Sequence, residues 1–98
     1  MNVIAFSDDR LIVGDRRFEF RIITNDPVEV RWEESGNDKV REGQLCDRSP
    51  SGARIKLDRA IRVLTPIHLR TASDDLKGRV RYCTRVQTQY VLGIEFET

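Results

Sequence analysis

From residue 28 onward the chain is a succession of short alternating segments separated by turn formers, and no stretch keeps a helical period. Val28-Glu29-Val30-Arg31-Trp32 alternates apolar and polar residues, as a half-buried strand does. The polar run from Glu33 to Lys39 contains Gly36-Asn37, a hairpin signal. Val40 to Cys46 reads as a second, less regular strand, and Asp47 to Gly52 as a turn. Ala53 to Leu57 alternates cleanly. A strand follows within Leu64 to Thr71, an acidic loop within Ala72 to Lys77, and a strand within Gly78 to Thr84. Gln87 to Gln89 turns the chain back. Tyr90, Leu92, Ile94 and Phe96 then share one face of a closing strand. About six short strands predict an all-β fold, a small antiparallel barrel or sandwich; a six-stranded antiparallel barrel is favoured, because one narrow apolar face per strand can enclose a core and closure removes sheet edges.

Composition narrows the function. At 98 residues the chain makes one domain with one modest core. Residues 1–13 read as an N-terminal extension able to supply one or two short strands through Val3 to Phe6 and Leu11 to Val13; residues 14–98 read as the domain proper. No run approaches the roughly 20 apolar residues of a membrane helix. The first residues, with Asp8 and Asp9, do not resemble a secretory leader, so a cytoplasmic location without membrane contact is expected. Cys46 and Cys83 lack metal-ligand spacing and read as reduced, buried thiols, with no metal site. A net charge of +1 does not suggest wholesale binding of DNA or RNA. Seven aromatics, most on core faces, leave a thin platform for an RNA-binding barrel. No nucleophile–base set or phosphate-cradling glycine loop is present, so the chain is not expected to be an enzyme.

Two polar clusters carry the chemistry. Arg16 and Arg17 precede Phe18-Glu19-Phe20-Arg21, which puts two guanidiniums four residues apart. Asp47-Arg48-Ser49-Pro50-Ser51-Gly52 combines a carboxylate, a hydroxyl and a glycine. Guanidinium forks match phosphate oxygens and the guanine O6/N7 edge, and a carboxylate accepts from guanine N–H groups. The cations are fourteen Arg against three Lys, the choice where planar contact matters. Other features read as structural: Trp32 as core, His68 as a surface strand residue, Phe18 and Phe20 as anchors of the 14–21 segment, and Arg79, Arg81 and Arg85 as one solvated strand face.

The order RxxxR (Arg17, Arg21) then DxSxxG (Asp47, Ser49, Gly52) resembles the two-part signature of the PilZ domain family. Pro27-Val28 after Arg21, Gly52 to Ile55, and the strand Tyr90 to Phe96 agree with it, so the resemblance covers about residues 15–97. It implies a six-stranded barrel that binds the bacterial second messenger cyclic di-GMP and needs no other cofactor. Arg17 and Arg21 would clamp phosphate and guanine, Asp47 would accept from guanine amines, and Ser49 would bond guanine or phosphate. Gly52 would allow a turn or close approach without a Cβ clash. Arg16 would serve a second, stacked ligand molecule. A flexible 14–21 segment would close over the ligand at about 1–2 kcal/mol of backbone entropy per residue, offset by charge-assisted bonds of roughly 1.5–3 kcal/mol each. The resemblance further implies a downstream protein partner in motility, exopolysaccharide or biofilm control. A PilZ-like adaptor that binds protein without nucleotide is the alternative. Two departures from the family pattern are Arg48, where an aliphatic residue is common, and the stop at Thr98, where many members carry a helix. Whether the chain is naturally short or cut from something larger, an exposed barrel end covered by a partner or a homodimer contact is the expectation.

Overall fold

The computed structural model describes residues 2–5 and 20–97. Among these there is no helix, and seven strands form one antiparallel sheet. They are β1 (Asn2–Ala5), β2 (Phe20–Glu34), β3 (Asn37–Ser49), β4 (Gly52–Leu57), β5 (Pro66–Arg70), β6 (Asp75–Val86) and β7 (Gln89–Phe96). β2 to β7 close into the expected six-stranded barrel, in the order β2-β3-β4-β7-β6-β5, with β5 returning to pair with β2. β1 lies outside this ring, in register with the first residues of β2, Ala5 opposite Phe20 and Ile4 opposite Arg21.

The apolar alternation builds the core. Val28, Val30 and Trp32 from β2 meet Leu45, Ala53, Ile55, Leu57, Ile67, Leu69, Val80, Leu92 and Ile94 inside the barrel, all buried. Trp32 is core, as expected; its indole N–H donates to Glu34 Oε1 at 3.1 Å, and the Arg59 guanidinium lies over its ring at 5.6 Å. Core positions thus alternate with outward, mostly polar ones along the barrel strands.

Several boundaries differ from the sequence reading, each for a local reason. β2 begins at Phe20 and runs through Asn25-Asp26-Pro27, which the sequence suggested as a break. The chain absorbs that polar stretch as an irregularity between Ile23 and Asp26. Pro27 lies outside residues 29–31, where β2 pairs with β5, so one of its edges has no ladder bond to lose. Phe20 and Arg21 are therefore strand residues rather than part of an unstructured arm, and Phe20 is 63% exposed instead of anchoring on the barrel. Residues 14–19, Phe18 among them, lie outside the described residues. The first hairpin turns at Ser35-Gly36, both with positive φ (53° and 81°), and not at Gly36-Asn37. Two left-handed residues match the twist of the flanking strands, and glycine takes that conformation freely. β3 continues through Ser49, so the Asp47–Gly52 turn shrinks to Pro50-Ser51. The acidic loop shortens because Asp75 already pairs with Arg70 at the start of β6.

His68 lies on the outer side of β5 but is only partly exposed, with Nε2 3.5 Å from Asp75 Oδ1. Asp75 is held below the usual carboxylate range, chiefly by its hydrogen bond from Arg70.

Candidate functional site

Two register shifts create the site. Leu45 is buried and pairs with Ile55, so strict alternation along β3 aims Asp47 into the core as well. A bulge at Cys46 intervenes: the next pair is Asp47 with Arg54. The extra residue turns the Asp47 carboxylate to the outer side of the barrel, where Arg54 points. A second bulge on β6, between Val80 and Tyr82, does the same for Tyr82, which pairs with Gly93. The result is a transverse row on the outer wall: Asp47 on β3, Arg54 on β4, Gly93 on β7 and Tyr82 on β6. The Tyr82 ring packs over the Gly93 backbone and stays 43% exposed.

Arg21 joins this row from β2. Ile23 pairs with Asp47, and Arg21 sits two residues earlier on the same face. Its Nη1 donates to Asp47 Oδ1 at 2.5 Å. Arg54 donates through Nε and Nη2 to the other oxygen, Oδ2, at 2.9 and 2.6 Å. Asp47 is only 4% exposed, whereas the two arginine side chains are half-exposed. One buried carboxylate thus positions two partly exposed guanidiniums. The bond to Asp47 holds the Arg54 guanidinium even more firmly protonated than usual, against a weaker opposing effect of burial.

The other predicted residues fall as follows. Ser49 is buried two residues beyond Asp47, opposite Gly52 across the Pro50-Ser51 turn. Gly52 makes its close approach to β7: a Cβ there would fall on the carbonyl oxygen of Ile94. Arg48 follows the inward phase with Ala53 at the barrel end, pairs with Asp74 at 2.8 Å and lies over the Phe96 ring at 6.0 Å. Arg16 and Arg17 lie outside the described residues. The β6 bulge breaks the face expected for Arg79, Arg81 and Arg85: Arg79 and Tyr82 both point outward and Arg81 is the extra residue.

Arg54 and Tyr82 escaped the sequence reading. A signal for Arg54 was present, since a two-residue turn at Pro50-Ser51 sets position 54 opposite position 47. The bulge that brings Tyr82 outward leaves no such mark.

Cys46, at the bulge, is a half-buried free thiol whose Sγ lies 3.8 Å from the Gln44 carbonyl oxygen. Burial pushes its pKa up; Lys56 and Arg54 pull against this and Asp47 reinforces it. Less thiolate at a given pH means slower alkylation. In a Cys83→Ser background, iodoacetamide at pH 8 is expected to modify Cys46 more slowly than a free cysteine peptide, and urea is expected to remove the difference.

An open groove of about 430 Å³ lies on the β2–β5–β6 side, lined by residues that include Trp32, Ile67, His68 and Lys77. It shares no residue with the Arg21–Asp47–Arg54 network. No group of three or more His, Cys, Asp or Glu among the described residues is arranged to hold a metal.

A barrel of this topology, with both signature halves meeting on its wall, defines a class of domain, and comparison with known proteins names it. A sequence model of the PilZ domain matches residues 15–98, so the chain belongs to the PilZ domain family. Among solved structures, the PilZ domain of CeSA from a cellulose-synthesizing bacterium is similar. Its TM-score is 0.53 at 22% identity, covering 80% of this chain and 82% of that one, and shows the shared fold. No functionally curated protein matches the sequence.

Proposed function

We propose that this domain is a cyclic di-GMP receptor, and that ligand capture on the outer wall is relayed to a protein partner. The observation that carries the reading is that Arg21 of the first motif and Asp47 of the second, twenty-six residues apart, bond to each other, and that Arg54 shares the same carboxylate. Two aimed guanidiniums suit a ligand with two phosphodiesters and two guanines. Asp47 acts first by fixing those cations, which occupy three of its roughly four lone-pair sites and leave one for a guanine amine. Ser49 donates to guanine or phosphate. Tyr82 offers an aromatic face at the end of the row on which a purine stacks. Arg17 and Arg16, in the segment that precedes β2, add charge when that segment closes on the ligand, Arg16 serving a second stacked molecule. Membership of the PilZ family, whose domains generally receive this messenger, supports the same assignment.

Calorimetric titration of cyclic di-GMP tests it. The wild type and an Arg70→Ala control, altered on β5 away from the row, are expected to bind alike, and both more weakly as salt rises. Arg17→Ala is expected to lose about tenfold or more, a factor equivalent to about 1.4 kcal/mol. Absence of binding by the wild type overturns the proposal. A stoichiometry of one ligand per chain removes the role given to Arg16.

A further inference from the structure

The segment between β4 and β5 ends in a tight turn, Arg62-Val63-Leu64-Thr65, in which the Thr65 N–H donates to the Arg62 carbonyl at 3.2 Å. Leu64 has φ of 77° while Val63 does not enter the left-handed region, the geometry of a type II turn. Glycine or asparagine normally fills that third position, because an L side chain there is strained. Leucine gains nothing inside the fold in return, since Leu64 is 65% exposed and Val63 46%. The turn is nevertheless held in place: the Leu64 N–H donates to the Val80 carbonyl at 2.7 Å, and the Val80 N–H to the Thr65 carbonyl at 3.0 Å. A strained aliphatic tip is thus fixed to β6 and presented to solvent.

Its surroundings are cationic. Arg62 belongs to the turn, and Arg79 and Arg81 flank Val80, to which the turn is bonded. None of the three makes an ion pair among the described residues, although Glu95 stands opposite Arg79 in register. Arginines elsewhere on the barrel, such as Arg41, Arg48 and Arg59, are matched with carboxylates.

We propose that the Val63–Leu64 tip, with Arg62, Arg79 and Arg81, is a docking surface for an acidic protein segment that seats an apolar side chain against Leu64 and gives carboxylates to the arginines. Planar guanidiniums favour carboxylates held in fixed geometry, and a pre-formed turn reduces the ordering cost of association. A membrane is the poorer occupant, because the two side chains offer about half the carbons of a single myristoyl chain, which alone anchors only marginally. Tyr82 follows Arg81 on β6, so a docked segment adjoins the row that holds Arg54 and Asp47. The proposal therefore gives the receptor reading its output surface, and it rests on that reading only for the signal that is passed on.

Panning random twelve-residue phage-displayed peptides against the full chain, with and without cyclic di-GMP, tests it. The expected result is enrichment of peptides with Asp and Glu around Leu or Phe. A synthetic consensus peptide is expected to bind about tenfold or more weaker to Leu64→Asn and to the Arg79→Ala/Arg81→Ala double variant, a factor typical of interface anchors. Leu64→Asn is expected to melt at the same temperature or a few degrees higher, since asparagine tolerates the left-handed conformation, and to keep its affinity for cyclic di-GMP. Loss of docking and loss of ligand recognition are thereby separated. Selected peptides without acidic bias, or a consensus peptide indifferent to Leu64→Asn, overturn the proposal. So does Leu64-dependent sedimentation with phosphatidylglycerol vesicles when no peptide is enriched.

Discussion

Arg21→Ala is expected to weaken cyclic di-GMP binding by about 100-fold or more while leaving the barrel folded. A guanidinium that meets phosphate or guanine makes two charge-assisted hydrogen bonds, at roughly 1.5–3 kcal/mol each, and every 1.4 kcal/mol is about tenfold. The fold is expected to survive the loss. The Arg21 side chain is half-exposed, and Asp47 keeps both bonds from Arg54 when Arg21 is lost. Losing one of three charge-assisted bonds to a buried carboxylate that stays paired costs about 1.5–3 kcal/mol. Calorimetry and thermal melting on the same sample therefore separate the two effects. Arg21→Lys is expected to recover little, because an ammonium cannot reproduce the planar fork. Binding by Arg21→Ala equal to wild type places the ligand elsewhere on the barrel.

Gly52→Ala is expected to have the opposite profile, acting on stability before it acts on ligand. An added methyl group lands on the backbone carbonyl of Ile94, which cannot rotate aside as a side chain can. Gly52 pairs with Glu95 in the β4–β7 ladder, so relief of the clash must pry those strands apart. Overpacking of this kind costs about 1–3 kcal/mol, and more where backbone must move. For a domain of this size, each kcal/mol lowers Tm by roughly 4–8 °C. A fall of about 10–20 °C in the melting temperature is the expected outcome. A melting curve unchanged from wild type means that the two strands do not approach so closely.

The two variants show how the signature divides between chemistry and architecture. Arg21 and Asp47 were legible as a charged constellation because their residue types fit one ligand. Gly52 was legible as a special backbone position, but whether it served a turn, a ligand or a neighbouring strand depended on β7, over forty residues away. The barrel itself was readable wherever alternation was strict, as in Val28 to Trp32 and Ala53 to Leu57. It was misread where a strand slips phase. Asp47 and Tyr82 both owe their outward aim to an extra residue in the preceding step, and such a slip looks in sequence like plain irregularity. Polar stretches such as Asn25-Asp26-Pro27 read as breaks because composition resists strand formation there; the long pairing of β2 with β3 overrides it. Leu64 carried no local sign of strain, since a left-handed leucine is apparent only from its backbone.

Only residues 29–31 stitch β2 to β5, whereas every other neighbouring pair in the ring shares a longer ladder. A barrel fastened so briefly along one line parts there first when it is stressed, and unrolls into a ribbon with two raw margins. Such margins invite stacking with other molecules. Glu29, Arg31 and Arg70 stand along that line with their charges outward, and Glu29 and Arg31 grip each other at 3.0 Å. The shortest join in the ring thus carries its own charged guard against others of its kind.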